Sequence, residues 1–203
     1  MFNLPKSTKI KKNIYKNTIY KKFSNELIGK KKENFDKEIK KITITNEISE
    51  QSISVKPTEE VSAIFLVLVE LKIKEFNEAN ISLVSRLFGQ RILLILKYED
   101  KYKLAIYETR LLMGEWKEID QINVKIQGLD LSSVWDNFVI QVGKFEVEEG
   151  NSLVEQIEIE EEKEKLKQKI EKTEKKARKE QQAKKKFEIF KKLKEYKREL
   201  EEM

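Results

Sequence analysis

The chain has 203 residues, of which 38% are charged, and a formal net charge of +6. It contains no cysteine and no histidine, which excludes disulfide bonds, thiol nucleophiles, histidine-based catalytic triads and zinc sites of the usual kind. Any metal site would be built from carboxylate and carbonyl oxygen atoms, which favours Mg²⁺, Mn²⁺ or Ca²⁺.

The charge is unevenly distributed along the chain. Residues 1–41 contain 13 lysines and 4 acidic residues, whereas residues 42–150 contain 12 basic and 18 acidic residues. Residues 151–203 contain 17 basic and 14 acidic residues. This asymmetry indicates an anionic partner for the N-terminal part. A codon preference that enriches Lys, Ile, Asn and Glu throughout the chain is the alternative explanation.

The first predicted element is a basic N-terminal arm over residues 1–24. Its β-branched and aromatic residues keep neither a helical nor a strand period, so we expect an extended segment. Lysine side chains on such an arm can contact the phosphate groups of a nucleic acid. The candidate nucleic-acid-binding residues are Lys6, Lys9, Lys11, Lys12, Lys16, Lys21 and Lys22.

Residues 25–148 are predicted to form an α+β core domain with a mixed sheet flanked by helices. The first predicted elements are a helix over 25–41, strands over 41–47, 52–55 and 61–73, a helix over 78–88 and a strand over 91–97. The strand in AIFLVLVELKIK is expected to be central, because its first residues are apolar on both faces. The order is similar to the α-β-β-β-α-β core of restriction-endonuclease-like proteins, although a fold does not confer a function.

Turn and cap residues complete the prediction for this domain. Asn77 is expected to cap the helix over 78–88, and Gly89 to end it. RILLILKYEDKYKLAIYE predicts two strands joined by a turn at 99–101, and QINVKIQG predicts a further strand. DLSSVWDNFVIQVGKF then predicts a helix whose N-cap is Asp130 or Ser132.

Glu70 and Lys72 form a Glu-x-Lys pair at the end of the central strand. Residues two apart share a face of a strand, so both side chains can point toward one site. In metal-dependent nucleases of the PD-(D/E)xK type, such a glutamate binds Mg²⁺ and the lysine orients the attacking water. The preceding predicted strand, SISV, lacks the second carboxylate of that site. The competing interpretation is a surface contact in a highly charged sequence.

Residues 149–203 are predicted to form a long charged helix or coiled coil. From Asn151 onward there is no glycine or proline, and apolar residues recur near heptad positions. One unbroken helix, a contact with a second copy and a fold-back hairpin are the alternatives, and the seam is interrupted at 180–182. The candidate partner-binding residues are Phe187, Phe190, Leu193, Tyr196 and Leu200.

No membrane partner is expected. The opening MFNLPKSTKIKK has charge but no apolar centre of a secretory signal. The longest apolar stretch, residues 63–69, is too short to span a bilayer. We therefore expect a soluble, cytoplasmic protein.

Several segments resemble one known family. They are NLPKSTKIKKNIYKNTIY at the start, EIKKITITNEIS and VSAIFLVLVELK in the core, and KEQQAKKKFEIFKKLKEYKRELEEM at the end. These segments are similar to segments of domain-of-unknown-function family 4391, an uncharacterised bacterial and archaeal family. The resemblance assigns no catalytic residue. Members are often encoded beside helicases and DNA methyltransferases of restriction-like systems, so it implies a role in DNA-targeting phage defence.

Three functions are therefore compared. The preferred one is a non-catalytic accessory component that binds nucleic acid through its arm, and a helicase, a DNA methyltransferase or a second copy through its C-terminal helix. The second is a nuclease that uses Glu70 and Lys72 and would require Mg²⁺; otherwise no cofactor is expected. The third is a structural adaptor that self-associates through residues 151–203.

Overall fold

A six-stranded mixed sheet organises the first part of the chain in the computed structural model, which describes Phe2 and residues 4–203. The strands are β1 (Lys9–Ile14), β2 (Ile39–Ile48), β3 (Ile64–Leu71), β4 (Arg91–Tyr98), β5 (Lys101–Tyr107) and β6 (Leu111–Met113). They lie side by side in sequence order, and β3 and β4 are the parallel pair among otherwise antiparallel neighbours. The predicted α+β class is confirmed.

Five α-helices accompany this sheet in the described part of Met1–Glu146, the first of two compact units. They are α1 (Lys16–Lys22), α2 (Lys30–Glu38), α3 (Glu50–Ile53), α4 (Glu78–Ser85) and α5 (Leu131–Gly143). Helix α4 connects the parallel strands β3 and β4, a connection that cannot be made by a tight turn. It packs against β4 and β5, whereas α5 packs against β5 and β6.

Strand β3 is central, as predicted, because apolar side chains cover both of its faces. On one face Val67 lies between Ile44 of β2 and Leu94 of β4, inside the core that α4 closes. On the other face Leu66 is fully buried beside Leu93. Burying one such side chain stabilises the fold by about 1.5–3 kcal/mol. The two-sided apolar pattern therefore fixes the position of β3 within the sheet.

Two helix starts match their predicted caps. The Asn77 side chain accepts a hydrogen bond from the Ala79 amide, 2.9 Å away, at the start of α4. The Asp130 side chain accepts one from the Ser133 amide, 2.8 Å away, at the start of α5. Helix α4 ends at Ser85, four residues before Gly89, so the predicted stop was wrong.

The prediction of an extended arm over residues 1–24 was wrong for the described residues. Residues 6–8 form a 3₁₀ turn, β1 pairs with β2 at the edge of the sheet, and α1 follows. Ile10 and Ile14 pack against the core, and Ile19 is fully buried. An edge strand needs only a few apolar anchors, because its outer side faces solvent. Because its apolar residues are so sparse, the strand could not be recognised from the sequence pattern.

Two further predicted strands were also wrong. SISV lies within and after α3, where Ser49 and Ser52 form a capping box and Ser54 adopts a left-handed conformation. QINVKIQG forms no strand, although Ile122 and Val124 are buried. Its backbone is held instead by Gln141, whose side chain accepts from the Lys125 amide at 3.0 Å and donates to the Lys125 carbonyl at 2.8 Å.

The second unit, Val147–Met203, consists of two helices. They are α6 (Leu153–Lys179) and α7 (Ala183–Glu201), separated at the predicted interruption. They pack on each other: Ala177 and Leu193 are buried, and Lys197 of α7 pairs with Glu174 of α6 at 2.8 Å. Of the predicted alternatives, the structure adopts the fold-back hairpin.

Candidate functional site

The structure places most of the predicted nucleic-acid-binding lysines on the protein surface. Lys6 lies in the 3₁₀ turn, and β1 at the sheet edge carries three more. Lys21 lies in the last turn of α1. Five of the exposed lysines have no hydrogen bond from Nζ within the described residues, unlike Lys22: Lys6, Lys9, Lys11, Lys12 and Lys21. Among the described residues, none of the five has a carboxylate within the 4.0 Å of an ion pair, so these charges face solvent.

The other two predicted lysines make contacts inside the protein. Lys16 pairs with Asp36 of α2, with 2.7 Å between Nζ and Oδ1. Lys22 donates a hydrogen bond to the carbonyl of Leu87, just after α4. Both side chains therefore hold α1 to neighbouring elements, and because of these contacts they are less available to a ligand than the other five, although Lys22 is itself exposed.

A second set of exposed lysines was missed by the sequence prediction. Lys30, Lys31 and Lys32 form the first turn of α2, directly after Gly29. The Nζ atom of Lys32 lies 4.5 Å from the centre of the Tyr20 ring on α1. The run of three lysines was visible in the sequence, but it was assigned to a helix interior. A helix that begins at Lys30 instead places these cations at its N-terminus.

Three cations at this position are unfavourable for the helix itself. The N-terminal end of a helix carries a partial positive charge, and its first amide groups have no partner within the helix. Gly29 supplies no side-chain cap, and the first turn holds a single acidic residue, Glu33. A bound anion would offset the excess positive charge and accept hydrogen bonds from the unpartnered amide groups. The start of α2 therefore has the chemistry of a phosphate-binding position.

Asp36 connects α1 and α2 through a polar network. Its Oδ1 accepts hydrogen bonds from Lys16 and from the Tyr20 hydroxyl. Burial acts to raise the pKa of Asp36, but the two hydrogen bonds and the nearby positive charges outweigh it and hold the pKa below its ordinary value. Burial, followed by the bond to Asp36, raises the pKa of Tyr20. Asp36 is thus an ionised anchor for α1.

Glu70 lies between two lysines on the sheet. The register pairs it with Lys41 of β2 on one side and Lys97 of β4 on the other. Opposite charges in directly adjacent positions stabilise neighbouring strands. Among the described residues neither lysine forms an ion pair with Glu70, so the catalytic interpretation and the surface-contact interpretation both stay predictions.

Lys72 lies just beyond β3 and contacts the end of α2. Its amide donates to the carbonyl of Glu38 at 2.7 Å, and its Nζ donates to the carbonyl of Asp36 at 2.5 Å. Carbonyl groups in the last turn of a helix lack partners within the helix. Lys72 therefore satisfies the C-terminal end of α2. Among the described residues, no group of three or more acidic side chains could hold a metal ion.

Glu38 is a buried carboxylate that holds α4 in place. Its Oε2 accepts a hydrogen bond from the Asn77 amide at 3.0 Å and from the Asn80 side chain at 2.6 Å. A cleft of about 360 Å³ opens beside it. Lys31 and Asn34 of α2 line this cleft together with Arg86, which pairs with Glu26 of the same lining at 2.9 Å.

A second hydrogen-bonded carboxylate, the half-buried Glu108, lies at the opposite end of the sheet. Its Oε2 accepts from Arg91 at 2.7 Å and from Nε1 of Trp135 at 2.5 Å. The Arg91 guanidinium also lies 5.2 Å from the centre of the Trp135 ring. Trp135 is 2% exposed, so it is a core residue that fixes α5 to the sheet.

The predicted partner-binding residues differ in exposure within the hairpin. Leu193 is buried, and Tyr196 and Leu200 are half-buried. Phe187 and Phe190 are 74% and 50% exposed. Three of the five residues therefore contribute to the hairpin itself, and the two phenylalanines remain available to a partner.

The chain is thus an α+β unit with many exposed lysines in its N-terminal elements, followed in sequence by a helical hairpin. The chain belongs to the family described as a domain of unknown function (DUF4391), whose model matches residues 2–200. The family predicted from the sequence is confirmed. No curated protein and no solved structure matches the chain. Within the described residues, no helix has both the length and the apolar character needed to cross a membrane.

Proposed function

We propose that this protein is a non-catalytic accessory component of a DNA-targeting defence system of the restriction-like helicase and methyltransferase kind, and that it binds the nucleic-acid backbone. The binding residues form the N-terminal lysine set. This set consists of Lys6, Lys9, Lys11, Lys12, Lys21, Lys30, Lys31 and Lys32, all of them exposed.

The lysine triplet of α2 is the observation that carries this proposal. Lysines on β1 have a structural explanation, because charged side chains on an edge strand prevent pairing with other proteins. Lys30 and Lys31 have none, since cations in the first turn of a helix oppose its dipole, whereas Lys32 also contacts the Tyr20 ring of α1. Their position is favourable when a phosphate group binds there. Lys31 also lines the neighbouring cleft.

The triplet gives a test in which function and stability change in opposite directions. Replacing Lys30, Lys31 and Lys32 with glutamine is expected to weaken binding of a fluorescent DNA duplex. The slope of log affinity against log salt should become shallower by up to about 2.7, which is roughly 0.9 for each lost phosphate contact. The same variant should keep or slightly raise its melting temperature, because the helix start loses unfavourable charge, which offsets the lost contact of Lys32 with the Tyr20 ring.

A matched variant controls for the loss of overall charge. Lys56, Lys74 and Lys125 are exposed lysines outside the N-terminal lysine set, and their replacement with glutamine removes the same number of charges. Only a small effect on binding is expected from this variant. Equal losses in the two variants, or an unchanged salt slope in the triplet variant, would contradict the proposal.

The accessory role is tested by isolating the tagged full-length protein from its own host and identifying the co-purifying proteins by mass spectrometry. Recovery of a helicase or a DNA methyltransferase supports the role in a defence complex. Self-association in sedimentation velocity, without affinity for nucleic acid, would instead support the structural adaptor.

A further inference from the structure

The hairpin of α6 and α7 has strongly segregated charge. Residues 153–164, at the start of α6, contain six acidic residues and one lysine. Residues 175–194, which form the turn between the helices and the adjoining helix ends, contain ten basic and two acidic residues. We call residues 175–194 the hairpin tip. The near balance of charge over the whole segment therefore hides a strongly basic end.

Most of the basic side chains at the hairpin tip are free of ion pairs. Lys175 pairs with Glu171 at 2.5 Å. Among the described residues, the other nine cations of the tip have no carboxylate within 4.0 Å. This density of unpaired positive charge attracts a polyanion and makes its binding dependent on salt.

Two aromatic side chains lie among these cations. Phe187 and Phe190 are 74% and 50% exposed, and residues three apart lie on the same side of a helix. Phe190 also lines a cleft of about 330 Å³ together with Arg178 and Lys186. The hairpin does not need the exposed ring surface for its own packing, because Leu193 of the same helix supplies the buried contact with α6.

We propose that the hairpin tip binds single-stranded nucleic acid, with Phe187 and Phe190 stacking on bases while lysine and arginine side chains contact the backbone. Exposed aromatic rings within a basic surface are the combination that single-strand-binding proteins use. This site lies outside the N-terminal lysine set, and the inference holds whether or not that set binds DNA.

A lipid surface fits these residues less well. A helix that lies in a membrane interface presents a broad apolar face opposite its charged face. In α7 Leu193 is buried, and Ile189, Tyr196 and Leu200 are half-buried, so most of the other large apolar side chains are already partly covered. Two isolated phenylalanine rings leave too little apolar surface for such an interface, whereas each is large enough to stack on one base.

The test separates stacking from simple charge attraction. Full-length protein is titrated with a fluorescent oligothymidine and with an abasic oligomer of equal length and charge. Replacing Phe187 and Phe190 together with alanine should weaken oligothymidine binding at least about fivefold, the lower end of the effect of losing one stacked base. Binding of the abasic oligomer should change little. Phe88, another partly exposed phenylalanine, provides the control substitution Phe88→Ala.

A charge variant tests the second half of the proposal. Replacing Lys184, Lys185 and Lys186 with glutamine should weaken binding of both oligomers and reduce the salt slope by roughly 2, since each single-strand phosphate contact contributes about 0.7. Circular dichroism should show unchanged helicity in all variants, because every substituted hairpin residue is exposed or half-buried.

Several results would overturn the inference. The first is a double alanine variant that binds oligothymidine as tightly as the wild type does. Another is binding of phosphatidylserine vesicles without affinity for either oligomer, which would assign the tip to a membrane. A third is a change in sedimentation coefficient with unchanged binding, which would assign the rings to self-association. Loss of duplex binding in the Lys30–32 variant alone concerns the proposed function and leaves this inference intact.

Discussion

Replacing Glu38 with alanine should destabilise the first unit more than any substitution of an exposed carboxylate. Glu38 is 9% exposed and accepts two hydrogen bonds, from the Asn77 amide and from the Asn80 side chain. Asn80 is itself only 5% exposed. The variant therefore leaves a buried donor without an acceptor, at the point where α2 meets the start of α4.

The size of the effect follows from the two bonds. A hydrogen bond to a charged group contributes about 1.5–3 kcal/mol, and a buried donor left unsatisfied costs about 1–3 kcal/mol. Because the Asn77 residue is exposed, its amide can bond to water in the variant. We therefore expect a loss of about 3 kcal/mol in the free energy of unfolding, or a decrease in melting temperature of roughly 6–12 °C.

Urea denaturation followed by circular dichroism measures this loss, and a double-mutant cycle assigns it. The cycle combines Glu38→Ala with Asn80→Ala, and the coupling energy between the two sites should be at least about 1 kcal/mol. Glu75→Ala is the control, because Glu75 is an exposed acid in the loop before α4, and it should change stability by less than about 0.5 kcal/mol. A loss in Glu38→Ala no larger than in this control, or a coupling near zero, would refute the reasoning.

Three further predictions concern the same unit. Asp36→Asn should lower the free energy of unfolding at neutral pH by at most about 1 kcal/mol, since the ion pair of Asp36 with Lys16 is partly exposed. Because the pKa of Asp36 is lowered in the fold, the difference in stability between variant and wild type should shrink as the pH falls through that pKa. A difference that grows in acid would contradict this prediction. Gly128→Ala should lower the melting temperature more than Gly89→Ala does. A Cβ at position 128 would lie 2.6 Å from the Val134 amide nitrogen, whereas nothing lies within 4 Å of a Cβ at position 89. Purified protein should leave DNA and RNA intact in Mg²⁺ or Mn²⁺ to the same extent as Glu70→Ala; cleavage lost in that variant would instead support the nuclease.

The segments that the sequence predicts well are those whose position is set by apolar contacts on every side. Strand β3 was found from its two apolar faces, and the β4–β5 hairpin from a polar turn between two such runs. Helices α4 and α5 were found because Asn77 and Asp130 cap them locally. In each case the signal lies within a few residues of the element it specifies.

The segments that the sequence predicts poorly are held in place by residues far away in the chain. Strand β1 is specified by β2, which is about thirty residues distant. The non-strand conformation near Lys125 depends on Gln141 of α5. The use of Lys72 at the end of α2 likewise follows from the packing of β3 beside that helix. A Glu-x-Lys pattern alone could not distinguish this contact from a catalytic site.

The distribution of charge argues against codon preference as the explanation of the basic character. A preference for Lys and Glu codons would raise both signs together along the whole chain. Instead, the first 41 residues carry 13 lysines against 4 acids, and the hairpin tip carries ten cations against two acids. The start of α6, in the same lysine-rich and glutamate-rich segment as the tip, is acidic. Two segments of the chain therefore concentrate exposed cations, which is the charge distribution that attracts a polyanion.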